Sequence, residues 1–538
     1  DPCQGGAAMN KKLLINGLVL LLIALYLVPI WRFRFFPSSD GPCHIYNAQV
    51  LKHLRHPDDP FHDYFGPNFR PFPNWTASFL MWAFQHLVSP LLAEKLLLTV
   101  YVLLFVLSVQ YLLKATAHRT KIFWLLSFLY LFNFLLLMGY YSFSLGVPLL
   151  LFTLGFLWKS RESLSWKRAA ILGLLLVVLY FSHPVPFLIA IVALVLFAAL
   201  FYRRRGRDIR KILVGCSPSV ALGFYYVWAY RLASAQKIPI RIQNLSESFM
   251  ALVNMHFLVT VDAQWQPILA KVAALLVFVL VMHTLVKKMT IRDKVLSYSF
   301  DQKDYFLLLS LVTFILSIVF PDVVAGHGSA IFLRTIFIGS LLTLPWLSDD
   351  LGKVMKRLAA GGATVLVVAN VLLIYLSFSM LNKDLSDFIS CRAHVGRFNT
   401  LIPLIFQRSA PSCNIPVFIH ATNYYCLNNF NINLANYEAD KDYFPVRFIE
   451  GLERPDVYDV FDRPNTLDFP ALARYVKYIV AFGMNVEVMT ECQKCFGVIC
   501  QKGKTRLLRS RFWSSQETSA AEKDSGLNPP GRGPAARG

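Results

Sequence analysis

"LLINGLVLLLIALYLVPIWRFRFFPSSDGPCHIYNAQ", Leu13–Gln49, sets an apolar run directly against a polar loop. The run is about the ~20 residues that cross a ~30 Å hydrocarbon core. "WRFRFFP" follows it where a small-residue cleavage site would be needed, so the run reads as a retained anchor. The loop beyond it opens with Asp40 and His44, four residues apart, and "IYNAQVLKHL" continues at helical spacing. Both side chains are therefore expected on one face of a short helix at the membrane surface. "SSDG" is also a helix N-cap signal, so Asp40 is either a cap or a free carboxylate.

The rest of the chain agrees with a membrane setting. Of 538 residues 56% are hydrophobic and only 16% charged, and mean hydropathy is +0.48. Soluble domains carry about a quarter of charged residues. Apolar runs recur at 12–31, 92–113, 122–139, 143–158, 169–182, 185–202, 212–233, 265–286, 304–320, 330–347 and 358–380, which predicts about eleven spans. The net charge of +21 lies in alternate loops. "KATAHRTK", "KSRESLSWKR", "YRRRGRDIRK", "KKMTIRDK" and "GKVMKR" are basic, whereas "GYYSFS", "SHPVP" and "PDVVAGHGSA" hold no Lys or Arg. This alternation predicts a cytoplasmic amino terminus and argues against nucleic acid as partner.

The expected organisation is a leader at 1–11, a helical bundle at 12–380 that includes a first outer loop at 32–90, an extracytoplasmic α+β domain at 381–513 and a disordered tail at 514–538. Cys391, Cys413, Cys426, Cys492, Cys495 and Cys500 fall in the outer domain, where disulfides persist. "CQKCFGVIC" leaves a zinc set open, although it supplies three ligands where four are needed. "IPVFIH", "RYVKYIVAFG" and "GVICQK" are expected strands, with a helix beginning at "FPALARYVKY".

The candidate site residues lie at the outer ends of apolar runs. Arg334 in "GSAIFLRTIFIG" is an arginine inside an apolar stretch, a functional candidate unless it snorkels to the headgroups. Asp322 and His327 precede it on the same side. His183 in "LYFSHPVPF" marks a turn that Pro184 and Pro186 enforce. "HLRHPDDPFHD" brings His53, Asp58, Asp59 and further acids together. Its spacing fits no known metal-ligand set, so no cofactor is expected, although a divalent metal stays open, and Asp58 or Asp59 can equally contact acceptor hydroxyls. "HATNYYCLNNFNINLANYEADKDYFPVRF" is rich in the Tyr, Asn and acidic side chains that stack on and hydrogen-bond to sugars.

A retained first span, a long outer loop opening with "SSDGPCHIYNAQ", the amphipathic "WTASFLMWAFQHLV" and many later spans together resemble the GT-C glycosyltransferases, and within that superfold a poorly characterised bacterial branch. The resemblance covers about residues 12–380 and lacks an acidic pair at the loop. It implies a polyprenyl-phosphate sugar donor in the bilayer, a glycan, lipid or protein acceptor outside the cytoplasm, Asp40 as catalytic base with His44 beside it, and Arg334 on the donor phosphate. A transporter or flippase, or a non-catalytic polymer-assembly protein, is the rival expectation.

Overall fold

A computed structural model describes residues 2–56, 59–233, 241–242, 244–292, 295–323 and 330–513, and the chain is mainly helical. In order, the helices are α1 (Pro2–Arg32), α2 (Gly41–His53), α3 (Thr76–Gln85), α4 (Pro90–Ala115), α5 (Ile122–Ser127), α6 (Phe134–Leu137), α7 (Tyr141–Trp158), α8 (Trp166–Ser182), α9 (Pro184–Phe201), α10 (Gly206–Ala233), α11 (Leu245–Val253), α12 (Gln266–Lys288), α13 (Asp304–Val319), α14 (Ile331–Thr343), α15 (Lys353–Phe388), α16 (Val457–Asp462), α17 (Phe469–Tyr475) and α18 (Val486–Cys495). The expected tail at 514–538 lies outside the described residues.

Six of these helices, α4, α7, α9, α10, α12 and α15, are long and apolar enough to cross a membrane. That is compatible with a multi-pass membrane protein, but it is fewer than the eleven spans expected. The difference has a physical source in three of the five remaining runs. The run at 122–139 breaks into α5 and α6, because Phe128–Tyr130 tightens into a 3-10 turn and the Asn133 side chain accepts from the Leu136 N–H to start a new helix. At about 1.5 Å per residue the 16 residues of α13 reach only ~24 Å. α14 stops after 13 residues and continues as a 3-10 turn through Pro345.

α7 is the most enclosed of the six and packs on α4, α8 and α9. α2 and α3 lie in the loop between α1 and α4 and pack on each other. α2 is buried from Gly41 to Leu51, because the polypeptide beyond α15 closes over it. The Tyr46 hydroxyl donates to the Asn431 carbonyl at 3.0 Å, and strand Phe65–Pro67 pairs antiparallel with Val446–Phe448.

A five-stranded sheet forms the centre of the C-terminal region. Thr400–Ile405 runs parallel to both Ile432–Asn433 and Tyr478–Phe482, and Thr505–Ser510 and Phe496–Lys502 extend the sheet antiparallel. The expected helix and the two later strands form as α17, Tyr478–Phe482 and Phe496–Lys502. The segment "IPVFIH" is not a strand. Pro416 has no N–H to give a ladder, and residues 415–420 turn instead into the 3-10 helix Ala421–Tyr425.

Cys391 and Cys500 form a disulfide, which leaves Cys492 and Cys495 as the two free thiols of "CQKCFGVIC". A peptide map of unreduced protein should therefore recover Cys391 linked to Cys500. Closing a loop of 109 residues predicts that Cys391→Ser lowers stability by about 2–5 kcal/mol, readable as an earlier unfolding transition in detergent. Free thiols at both positions would remove this link.

Candidate active site

Asp40 stands at the N-cap position of α2 without acting as a cap. Its backbone carbonyl already accepts from the N–H groups of Cys43 and His44 at 2.9 and 3.1 Å, and Pro42 has no N–H to offer. No capping hydrogen bond forms from the side chain. The carboxylate instead faces a cavity of about 730 Å³ bounded by the first outer loop, the ends of α7, α9, α10, α13 and α14, and residues 416–444.

The Leu137–Gly139 turn before α7 holds Asp40 in place. The N–H groups of Ser39 and Asp40 donate to the carbonyls of Leu137 and Met138 at 2.9 and 3.2 Å. Gly139 adopts φ +87°, and a Cβ there would fall 2.8 Å from the Cβ of Asp40. Only glycine allows that approach without strain.

His44 is one turn further along α2. Its Nε2 donates to the Gly139 carbonyl at 2.8 Å, and its Nδ1 lies 2.6 Å from Oε1 of Glu438. Glu438 is fully buried and also accepts from Asn47 Nδ2 at 2.6 Å. Burial works to keep the His44 imidazole neutral, but the Glu438 carboxylate outweighs it and raises the pKa to about 9. His44 is thus a fixed cation with both nitrogens engaged, suited to setting charge.

Asp40 responds to these neighbours. Burial pushes its pKa up to about 6, the His44 charge pulls it down, Glu438 pushes it up again, and hydrogen bonds from Ser39 and Tyr437 favour the ionised form. The Ser39 hydroxyl donates to Oδ1 at 3.0 Å. Such a carboxylate is ionised near neutral pH yet basic enough to take a proton. His420 Nε2 lies 3.7 Å from the same Oδ1.

Arg334 and His183 line the cavity as well. The Arg334 guanidinium is buried, sits 4.2 Å over the Tyr140 ring, and forms no ion pair among the described residues. Its Nε has no hydrogen-bond partner. His183 caps α9, its Nδ1 3.1 Å from the Val185 N. Its Nε2 lies 2.8 Å from Arg334 Nη1, a contact in which the guanidinium can only donate. The guanidinium also hydrogen-bonds the Tyr140 side chain, which leaves Nε as its donor without a partner. Pro184 and Pro186 remove two backbone N–H groups from the start of α9, so that helix end offers few backbone donors of its own.

The other expected site residues lie elsewhere. Asp59 bonds His53 Nδ1 at 2.8 Å and caps the 3-10 turn Pro60–Asp63. Asp322 accepts from the Phe332 N–H at the start of α14. Neither lines the cavity. Asp58 and His327 lie outside the described residues, among which no three His, Cys, Asp or Glu side chains gather as a metal site. Glu438, Tyr437 and His420 were not singled out from sequence, although the Tyr- and Asn-rich segment containing them was.

The His44–Glu438 pair predicts a pH dependence of stability. Raising the His44 pKa from 6.5 to about 9 stabilises the fold fully below pH 6.5, and that contribution is lost as pH rises toward 9. Glu438→Gln should flatten this decline in unfolding midpoints between pH 6.5 and 9, and an unchanged slope would contradict the pairing. Asp40 titrates in a separate, lower window, from 3.8 to about 6.

Compared with known proteins, the chain matches no family model and no curated protein, so its function is read from the chemistry of this cavity.

Proposed function

We propose that this chain is a membrane glycosyltransferase that moves a sugar from a polyprenyl-phosphate donor to an extracytoplasmic glycan, lipid or protein acceptor. The observation that carries the reading is the arrangement of the cavity. A carboxylate with a pKa near 6 and no capping duty faces the same space as a buried arginine that forms no ion pair among the described residues and whose Nε lacks a partner. Sugar transfer from a phosphate needs both kinds of group, a base for the attacking hydroxyl and donors for the leaving oxygen.

In this reading Asp40 takes the acceptor's hydroxyl proton while Arg334 and His183 hold the departing phosphate. The wall between them carries Leu188, Ile189, Leu316 and Phe320, apolar side chains suited to the first isoprene units of the donor. His44, paired to Glu438, holds a positive charge near Asp40 and keeps it ionised at neutral pH.

The same reading takes all eleven apolar runs as spans, with the shorter helices crossing as pairs or beside re-entrant segments, and a cytoplasmic amino terminus. The region beyond α15 then lies outside the cytoplasm of a bacterial envelope. The positive-inside pattern supports this orientation, as does the disulfide of that region.

Asp40→Asn tests the base. Asn preserves the shape of a side chain that makes no cap bond, so folding should change by well under ~1 kcal/mol, while turnover of polyprenyl-phosphate-linked sugars should fall by roughly 10²-fold or more. Full activity in this variant would end the assignment. Arg334→Ala should weaken binding of undecaprenyl phosphate by about 10–100-fold, the range for a lost charged hydrogen bond. Arg334→Lys should recover only part, since it lacks the planar fork. Equal affinity in all three proteins would make Arg334 a structural cation.

A further inference from the structure

We infer that His420 is a substrate-contacting residue, which holds the acceptor hydroxyl against Asp40 and thereby selects an uncharged, hydroxyl-bearing sugar as acceptor; the inference rests on the glycosyl-transfer reading above. His420 Nε2 and Asp40 Oδ1 stand 3.7 Å apart, too far for a hydrogen bond and too close to be unrelated. An oxygen about 2.8 Å from each fits in that gap. Beside a carboxylate the imidazole proton is favoured on Nε2, so a hydroxyl there accepts from His420 and donates to Asp40.

The imidazole is held ready for this contact. Tyr437 stacks on it at 4.4 Å and 24°, and Phe461 meets it edge-on at 5.1 Å, which fixes the ring plane. Burial and the nearby His44 and Arg408 charges lower its pKa to about 3, so it donates as a neutral group and does not compete for the proton. The outer wall of the cavity is Pro416, Ile419, His420, Tyr437, Tyr443 and Phe444. It carries no Lys, Arg, Asp or Glu, and the nearby cations have other tasks. A charged acceptor would be left unpaired there, whereas a neutral sugar ring can stack on the aromatic faces.

The step balances without a further reactant. The acceptor oxygen attacks the anomeric carbon and forms the new C–O bond as the bond from that carbon to the phosphate oxygen breaks. The bonding pair leaves with the phosphate toward Arg334, and the hydroxyl proton passes to Asp40. His420 neither gains nor loses a proton.

Transfer measured beside donor-phosphate binding tests this. Full-length protein in nanodiscs is given short-chain polyprenyl-phosphate-linked glucose, mannose or arabinose, with octyl glucoside, galactoside or mannoside as acceptor, and both octyl disaccharide and free sugar are measured. His420→Phe keeps the stacked ring but loses the donor. Transfer should fall by at least about tenfold, the upper range for one hydrogen bond, through a raised acceptor KM and a lowered kcat. Binding of undecaprenyl phosphate, which is assigned to Arg334, should stay within threefold of wild type. His420→Gln, whose amide N–H reaches near the position of Nε2, should recover much of the transfer. Transfer within twofold of wild type in His420→Phe would overturn the inference, and so would parallel loss of transfer and undecaprenyl-phosphate binding in a variant with a wild-type unfolding midpoint. If wild-type protein neither transfers nor hydrolyses any of these donors, the glycosyl-transfer reading fails first and this inference falls with it.

Discussion

The site depends on one buried ion pair, His44 with Glu438. Taking two charges out of water costs several kcal/mol for each ion, and here each offsets the other at 2.6 Å, with the Gly139 carbonyl and the Asn47 amide satisfying what remains. Losing either partner would strand a charge in the interior. The pair therefore locks the first outer loop to a segment far along the chain, and Tyr46–Asn431 and Asn47–Asn436 contacts repeat the link beside it. α2 becomes part of the C-terminal region's core, and Asp40, at the start of α2, is set in the cavity wall.

Charges in the cavity are sorted by function. Asp40 lines one side with His44, which Glu438 pairs from within the interior, whereas Arg334 lies with His183 and no carboxylate among the described residues pairs with it. Asp40 is near enough to Arg334 to interact with it across the space, but not to bond it. An anion that entered would be drawn to Arg334, which has no carboxylate partner among the described residues.

The legible part of this arrangement was whatever leaves a local mark. Each apolar run forms helix, because a stretch of Leu, Val and Phe is marked residue by residue. Asp40, His44, His183 and Arg334 were legible as polar groups at the ends of such runs, and the fold brings all four to one cavity. Whether a run crosses a membrane was less legible, since Asn133 and Pro345 cut apolar stretches into pieces without changing their hydropathy. Glu438 was hidden for another reason. Nothing near it announces His44, and its contact with Asn47 spans 391 residues. Asp59 and Asp322 have the right chemistry in the sequence, but each satisfies a nearby backbone N–H. A cap and a catalytic carboxylate look alike until the N–H groups are counted, and Pro42 decides that count at Asp40 by removing one.

The position of Asp40 between a cation and a desolvated interior also bears on when it would act as a base in the proposed reaction. Before a donor binds, His44 holds the carboxylate ionised against its burial, with a pKa of about 6. In glycosyl transfer the donor phosphate would bring another negative charge into a space with little water to screen it, and like charge raises the proton affinity of a carboxylate. Arg334 would neutralise only part of that charge, and the remainder would still be felt at Asp40 across the cavity. The base would therefore strengthen once the donor is seated and stay weaker in its absence. A pKa slightly below neutral in the empty site is then an advantage, because the later rise brings it to the working pH, where proton transfer in the transition state is most effective.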